Sequence, residues 1–250
     1  MANTHTSAGF GFAALAAAGA VAVLMSAQRR HLSRPALPPP ETTSAQNQAA
    51  QKINCASSLL AGAVLADSAV EHYRGSFHNK AMYLPLAVSA QTLAAGLHGI
   101  GAQGGGADVR RKASHQLAVI NGAAGLGFHL YNIVKRPGGI SWLNLFYAAP
   151  FGAPAALSLS GLFGLLAERV RAGSPAICGV MPGRLAAWLT AAGLLGSAGE
   201  AGLMHFRGAY HNPAMVVPIT LPPVAAALLA GATVKPRRRV GRCDCWWRSG

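Results

Sequence analysis

Residues 214–233 read AMVVPITLPPVAAALLAGAT, twenty consecutive residues without one charged side chain. A helix of about 20 apolar residues is long enough to cross the ~30 Å hydrocarbon core of a bilayer. Similar stretches recur along the chain, with short polar breaks between them. The pattern predicts seven transmembrane helices, at 8–27, 53–72, 81–99, 113–134, 145–167, 185–205 and 214–233.

Composition supports the same fold class. Of the 250 residues only 11% are charged while 52% are apolar, whereas an ordinary soluble domain has about 25% charged residues. The formal net charge of +14 does not indicate a nucleic-acid-binding protein, because such a protein needs a solvated basic face and this chain has too little polar surface to build one. We therefore predict an all-α, polytopic transmembrane bundle with no nucleic-acid partner.

The apolar pattern divides the chain into four parts. The first apolar run is followed, and not preceded, by its arginines, which is the reverse of a secretory signal peptide. The predicted parts are an N-terminal transmembrane helix (1–34), a Pro-rich and polar linker (35–52), a six-helix membrane domain (53–234) built from the hairpins 53–99, 113–167 and 185–233, and a basic tail (235–250).

The loop charges predict the orientation. On one side of the predicted spans lie 16 Lys and Arg residues, and on the other side lie 5. Because cytoplasmic loops carry the excess of Lys and Arg, the first side is expected to be cytoplasmic. The prediction is a multi-pass protein of a cytoplasmic membrane of bacterial type, with its N-terminus outside, its C-terminus inside and the lipid bilayer as its surroundings.

An internal repeat is the most informative feature of the sequence. Residues 72–85 read HYRGSFHNKAMYLP and residues 205–218 read HFRGAYHNPAMVVP, so that eight of fourteen positions are identical. The same alignment places Asp67 opposite Glu200. A fainter third copy, with Asn144 and Pro150 at the Asn-to-Pro spacing of the other two, follows His129. We expect one added helix followed by three helical hairpins repeated in parallel orientation.

Parts of the repeated segment are typical of turns between helices. Gly75 and Gly208 suit a helix end that needs a positive φ. Asn79 and Asn212 are expected to cap, and the prolines at 85 and 218 are tolerated near a helix start.

The histidines and acids of the repeat are candidate ligands. Asp67 and Glu200 are the acids expected plainly inside a span, where an ionised group usually faces a partner or water. Imidazole and carboxylate groups coordinate transition metals, and a pair of histidines from two helices is able to ligate haem axially. The predicted metal ligands are His72, His78, His129, His205, His211, Asp67 and Glu200, and the predicted cofactor-binding residues are His72, His205, Arg74 and Arg207.

A structural reading of the same residues stays open. Each acid would then pair with an Arg or His of the repeat and lock the hairpins together. Two further histidines, His98 and His115, are expected at the inner interface, and the glycines within the spans (Gly122, Gly125, Gly196 and Gly199 among them) are expected to permit close helix packing.

Three classes of function follow from these features. The first is a haem- or metal-binding redox subunit. The second is a non-catalytic accessory or assembly subunit of a membrane complex, whose repeated turns dock a partner. The third is a small ion- or proton-coupled transporter that uses Asp67 and Glu200. Neither a phosphate-binding loop nor a nucleophile elbow is present, so the sequence does not decide whether the protein is an enzyme.

Overall fold

The computed structural model describes residues 44–103, 108–147, 151–173 and 179–234, and these residues contain α-helices and short 3₁₀ turns but no β-strand. The predicted all-α fold class is confirmed for them. The helices are α1 (Ser44–Arg74), α2 (Leu84–Gly101), α3 (Val109–Val134), α4 (Trp142–Phe146), α5 (Gly152–Arg171), α6 (Pro182–Arg207) and α7 (Val217–Val234), with 3₁₀ turns at Lys80–Tyr83 and Pro213–Val216.

Three helical segments are long and apolar enough to cross a membrane: Ser44–Arg74, Val109–Val134 and Pro213–Val234. The count of seven spans stays a prediction. The predicted span 8–27, the first part of the linker, Pro150 and the tail 235–250 lie outside the described residues.

Two predicted boundaries differ from the structure. Helix α1 begins at Ser44, so the second half of the predicted linker 35–52 is helical, and Ala50 within it is fully buried. Ala and Gln in this stretch are good helix formers, and the packing of Ala50 on α5 adds burial. The predicted span 145–167 is interrupted, because α4 ends at Phe146 and α5 begins at Gly152.

Helices α1, α2, α3 and α5 form a four-helix bundle. Helix α5 packs along α1 and α3, and α2 packs on the same two helices from the opposite side. Helices α6 and α7 pair with each other, and α6 lies against α5. The long helices run alternately up and down the bundle. Arg111 near the start of α3 contacts Glu168 near the end of α5, and Gly152 at the start of α5 contacts Glu200 near the end of α6.

Small side chains bring the bundle helices close together. Ser57 of α1 and Ser160 of α5 each donate a hydroxyl hydrogen bond to the carbonyl oxygen of the other, at 2.8 Å in both directions. A Cβ atom at Gly122 of α3 would overlap Ser158 of α5. The packing role predicted for Gly122 is therefore confirmed, and small residues let these backbones approach as they do in membrane bundles.

The alternating course of the helices gives the bundle two distinct ends. We call the end that carries the turns after α1 and α6 the outer end. The opposite end, which carries the connection from α2 to α3, is the inner end. Both copies of the repeated turn thus lie at the same end of the molecule.

Candidate functional site

The first repeated turn is held by its own backbone and side chains. The amide of Phe77 donates to the carbonyl oxygen of His72 at 3.0 Å, which closes the end of α1. Asn79 caps the following 3₁₀ turn by accepting from the backbone N–H two residues on, at 2.9 Å. The ring Nδ1 of His78 lies 3.0 Å from the carbonyl oxygen three residues earlier.

The second repeated turn has the same three hydrogen bonds. The amide of Tyr210 donates to the carbonyl oxygen of His205 at 3.1 Å. Asn212 accepts from the backbone N–H two residues on, at 2.9 Å. The ring Nδ1 of His211 lies 3.1 Å from the carbonyl oxygen three residues earlier. The capping predicted for Asn79 and Asn212 is confirmed.

The left-handed backbone of both turns lies one residue later than predicted. Ser76 and Phe77 have φ of 58° and 45°, and their counterparts Ala209 and Tyr210 have φ of 53° and 49°. Gly208 instead has φ of −84°. The positive φ predicted at the two glycines is therefore wrong. It lies instead on residues with a Cβ atom, for which the left-handed conformation is strained. In the first copy the glycine instead gives room to a methionine side chain, since a Cβ at Gly75 would lie 3.1 Å from Met82 Cε.

The third copy of the repeat has a different local structure. Asn144 lies inside α4 and its Nδ2 donates to the carbonyl oxygens of Pro137 and Gly139, at 3.1 and 2.7 Å. The capping residue here is Ser141, whose hydroxyl accepts from the Asn144 amide. Asn144 is therefore not the structural counterpart of Asn79 and Asn212.

The structure does not bring three or more of the predicted metal ligands together among the described residues, and their binding of a metal stays a prediction. Within the part of the chain that the structure describes, no three His, Cys, Asp or Glu side chains come together in a way that would hold a metal ion. In each turn the later histidine is exposed and the earlier one half-buried, and Asp67 is exposed on α1 while His129 is half-buried on α3. The expected convergence of four histidines and two acids in one cluster is not found among these residues.

The two acids of the repeat have different surroundings. Glu200 is half-buried, and its Oε1 accepts a hydrogen bond from the amide of Gly152 at 2.9 Å. Gly152 is the first residue of α5, where the helix dipole favours a negative charge. A Cβ atom at Gly152 would overlap the Glu200 carboxylate. Glu200 therefore ties α6 to the bundle at its outer end, whereas Asp67 makes no equivalent contact with another helix in the described part of the chain.

The two arginines of the repeat also differ. Arg74 donates to Glu71 at 2.9 Å, in an exposed pair within one helix. Arg207 lies over the ring of Tyr147, with its Cζ 5.0 Å from the ring centroid, a cation–π contact. Next to it, the rings of Phe146 and Phe206 stack with centroids 5.2 Å apart.

A cavity of about 780 Å³ lies between α1, α5 and α6. Its wall is predominantly apolar, and Glu200 and Arg207 are its charged lining residues. Neither His72 nor His205 lines it. Ligand cavities commonly have this size and this mixture of apolar wall and few polar groups.

A buried ion pair at the inner end was not predicted. Glu168 of α5 is 1% exposed, and its carboxylate accepts from Arg111 Nε at 2.7 Å and Arg111 Nη2 at 3.1 Å. The backbone amide of Asp108 donates to the same carboxylate at 2.8 Å. Asp108 itself caps α3, and the hydrogen bond from the Arg111 amide lowers the pKa of its carboxyl.

Arg171 extends this group to the other two bundle helices. Its guanidinium donates to the carbonyl oxygens of Gly99 and Ala102, at 2.7 and 3.0 Å, and so caps the end of α2. It also reaches Asn47 of α1 at 3.4 Å. We refer to Arg111, Glu168 and Arg171 as the inner charge network.

Two buried polar side chains next to this network have no hydrogen-bond partner among the described residues. They are Asn54 and His115, both 0% exposed. A Cβ atom at Gly99 would overlap the Asn54 amide, and one at Gly164 would overlap the His115 ring. The His115 ring is thus buried between helices, where Gly164 of α5 makes room for it, and its predicted position at the inner membrane interface stays a prediction.

The sequence contains a pattern that indicates this network, although the count of Lys and Arg by predicted loop does not show it. Gly161, Gly164, Glu168 and Arg171 follow one another at spacings of three and four residues, which places them on one helix face. Arg111 and Arg171 each lie at the edge of an apolar stretch, where a buried charge has the same sequence pattern as a loop charge.

Comparison with protein-family models, with curated proteins and with solved structures finds no match to this chain.

Proposed function

We propose that the protein is a multi-pass membrane protein of seven spans, with the outer end of the bundle on the side opposite the cytoplasm. The loop charges support this orientation. The exposed aromatic side chains of the outer end support a position of that end at a membrane interface, since Trp and Tyr are enriched at both interfaces. These residues are Tyr73, Tyr83, Trp142, Tyr147 and Phe206.

Reporter fusions test this topology. Fusions after Arg34, Gly106, Gly173 and Lys235 are expected to report the cytoplasm, and fusions after Arg74, Gly138 and Arg207 the outer side. A cytoplasmic signal from any of the last three would contradict the seven-span proposal.

Within this topology, the protein is an accessory or assembly subunit that docks a partner at its outer end. The observation that carries the proposal is the hydrogen bonding of the repeated turns. The side chains of Asn79 and Asn212, and the Nδ1 atoms of His78 and His211, contact the backbone of their own turns. The shared residues therefore build two fixed surface shapes on one face of the molecule.

The charge of the outer end indicates the chemistry of the partner. Four exposed basic side chains lie there in addition to Arg207, and among them only Arg74 is paired with a carboxylate in the described part of the chain. Exposed charges of one sign steer a partner of the opposite sign. The partner is accordingly expected to present an acidic surface to Arg74, Lys80, Lys135 and Arg136.

Site-specific photo-crosslinking in native membranes tests the docking. A photoreactive residue at Lys80 or Arg136 is expected to capture the same acidic protein, which reciprocal purification then verifies. The matched controls are Arg110 and Arg184, which are exposed at the inner end. Adding Asn79→Ala is expected to reduce the yield from position 80, because the turn loses its cap.

Two results would contradict the docking proposal. One is an equal yield of the same protein from the inner-end positions. The other is a yield from position 80 that Asn79→Ala does not change, since the shape of the turn would then be irrelevant.

A haem- or metal-binding subunit is the second candidate. One observation favours it: Nδ1 of His72 lies 2.7 Å from the carbonyl oxygen of Met82, and a backbone partner on one ring nitrogen is typical of a histidine that ligates a metal through the other. An absorption spectrum with elemental analysis of the purified protein tests this candidate. A haem band or stoichiometric metal that is lost in both His72→Ala and His205→Ala, but retained in His98→Ala, would favour it over the docking subunit.

A further inference from the structure

The cavity between α1, α5 and α6 follows from uneven packing of α6. Near the inner end, Leu185 and Leu189 of α6 pack on the cluster that contains Phe163 and Leu166. Near the outer end, Glu200 meets Gly152. The two contacts hold α6 against the bundle at both ends of the gap.

Small residues on α6 leave the space between these contacts unfilled. Gly196 and Gly199 line the cavity, and a Cβ atom at either would have no neighbouring atom within 4 Å. Among the described residues neither glycine packs against another helix, and the packing role predicted for these two glycines stays a prediction. The opposite wall is formed by leucines, including Leu59, Leu159 and Leu162. These leucine side chains form an apolar wall that an acyl chain is able to contact.

The charged end of the cavity carries Glu200 and Arg207, and Arg207 has no ion-pair partner among the described residues. The carboxylate of Glu200 is bound to the start of α5, and no ion pair joins it to Arg207 among the described residues. The guanidinium of Arg207 contacts the Tyr147 ring, a contact that leaves its N–H donors available. In the membrane placement proposed above, an arginine beside aromatic rings at a helix end is expected near the interface, where basic groups attract anionic lipid.

We propose that this cavity binds an anionic phospholipid of the outer leaflet, with an acyl chain between α5 and α6 and the phosphate on Arg207. The proposal rests on the membrane placement of the bundle given above. Charge complementarity at Arg207 and the hydrocarbon-like wall select this occupant. The repeat provides the matched comparison, because Arg74 has the same position in the first copy but does not line the cavity.

A photoreactive lipid tests the proposal. The purified full-length chain is reconstituted in phosphatidylcholine vesicles that contain a trace of phosphatidylglycerol with a diazirine on one acyl chain. Labelling is expected on the cavity faces of α5 and α6, and unlabelled phosphatidylglycerol is expected to compete for it better than unlabelled phosphatidylcholine.

Substitutions distinguish lipid binding in the cavity from general contact of the protein with lipid. Arg207→Gln is expected to weaken competition by phosphatidylglycerol about fivefold, which is the effect of one basic group near a lipid surface. Arg74→Gln is expected to leave it unchanged, and Arg207→Lys to restore most of it. Gly196→Leu is expected to abolish labelling in the cavity, whereas Gly231→Leu on α7, where a Cβ also has open space, is expected to have no effect.

Three results would overturn the proposal: equal competition by both lipids, equal effects of Arg207→Gln and Arg74→Gln, or efficient disulfide formation between cysteines introduced at Ala17 and Gly196. The last would show that the predicted span 8–27 of the chain itself fills the cavity. Each of these results is compatible with the topology given by the reporter fusions, so failure of the lipid site and failure of the membrane placement are distinguishable.

Discussion

Glu168 and Arg111 form a two-point ion pair inside the helix bundle, with Nε–Oε1 and Nη2–Oε2 distances of 2.7 and 3.1 Å and with 1% and 6% of their surfaces exposed. The pair joins the end of α5 to the beginning of α3. Its two hydrogen bonds compensate charges that would be costly to bury alone. The inner end of the bundle therefore depends on both residues being present together.

Breaking this pair is expected to destabilise the protein strongly. Glu168→Gln is expected to lower the free energy of unfolding by about 3–5 kcal/mol, because Arg111 is left buried without its counter-charge. The double variant Glu168→Leu with Arg111→Met is expected to recover much of that loss. Thermal unfolding of the detergent-solubilised protein ranks the variants by stability.

The exposed pair of Arg74 and Glu71 is the control for this prediction. Glu71→Gln is expected to change stability by at most about 1 kcal/mol, since exposed pairs contribute little. If Glu168→Gln were no more harmful than Glu71→Gln, the inner ion pair would not stabilise the fold.

Gly164 is expected to tolerate no side chain. Gly164→Ala should be destabilising because the new Cβ overlaps the buried His115 ring. Gly231→Ala on α7 meets open space and is expected to be stabilising by about 0.5–1 kcal/mol, the ordinary gain for alanine over glycine in a helix. The two substitutions are compared by their midpoints of thermal unfolding. A stabilising Gly164→Ala would show that His115 does not lie against α5.

The left-handed residues of the turns are expected to prefer glycine. Ala209→Gly should be stabilising by up to about 1 kcal/mol, because relief of the left-handed strain exceeds the entropic cost of a glycine in the unfolded chain. Ala87→Gly, at an exposed position inside α2, is the opposite case and should be destabilising by about 0.5–1 kcal/mol. Chemical denaturation of both variants checks the sign. Equal losses of stability would contradict the positive φ at Ala209.

Asp108 is expected to make stability depend on pH in the acidic range. The hydrogen bond from the Arg111 amide lowers the pKa of Asp108 in the folded state, relative to about 3.9 in an unfolded chain. Its contribution is therefore fully present above the unfolded pKa and is lost as the pH falls through the folded pKa. Stability of the wild type and of Asp108→Asn is measured across this range. The two curves should differ at neutral pH and converge in acid, and a constant difference would contradict the prediction.

The helices and the capping residues were predictable because they depend on local chemistry. Asn79 and Asn212 accept from an amide two residues away, and Pro85 lies at the start of α2. The failure at Gly75 has a local cause as well. In the structure the left-handed residues are Ser76 and Phe77, and Phe77 is fixed by stacking on Tyr83 at 4.4 Å between centroids. The general preference of glycine for positive φ takes no account of this stacking contact, so it did not predict where the left-handed residues lie.

The sequence by itself determined the elements that arise within one segment: the apolar helices, the turn chemistry and the likeness of residues 72–85 to residues 205–218. Tertiary structure alone decided which charges are buried and which acid contacts another helix. Glu168 becomes buried because Arg111 and Asp108 approach it from a different helix, and Glu200 differs from Asp67 because Gly152 lies opposite only one of them. Such contacts depend on how helices pack across the bundle. The residue spacing shows which face of α5 carries Glu168, but not which residue of another helix meets that face.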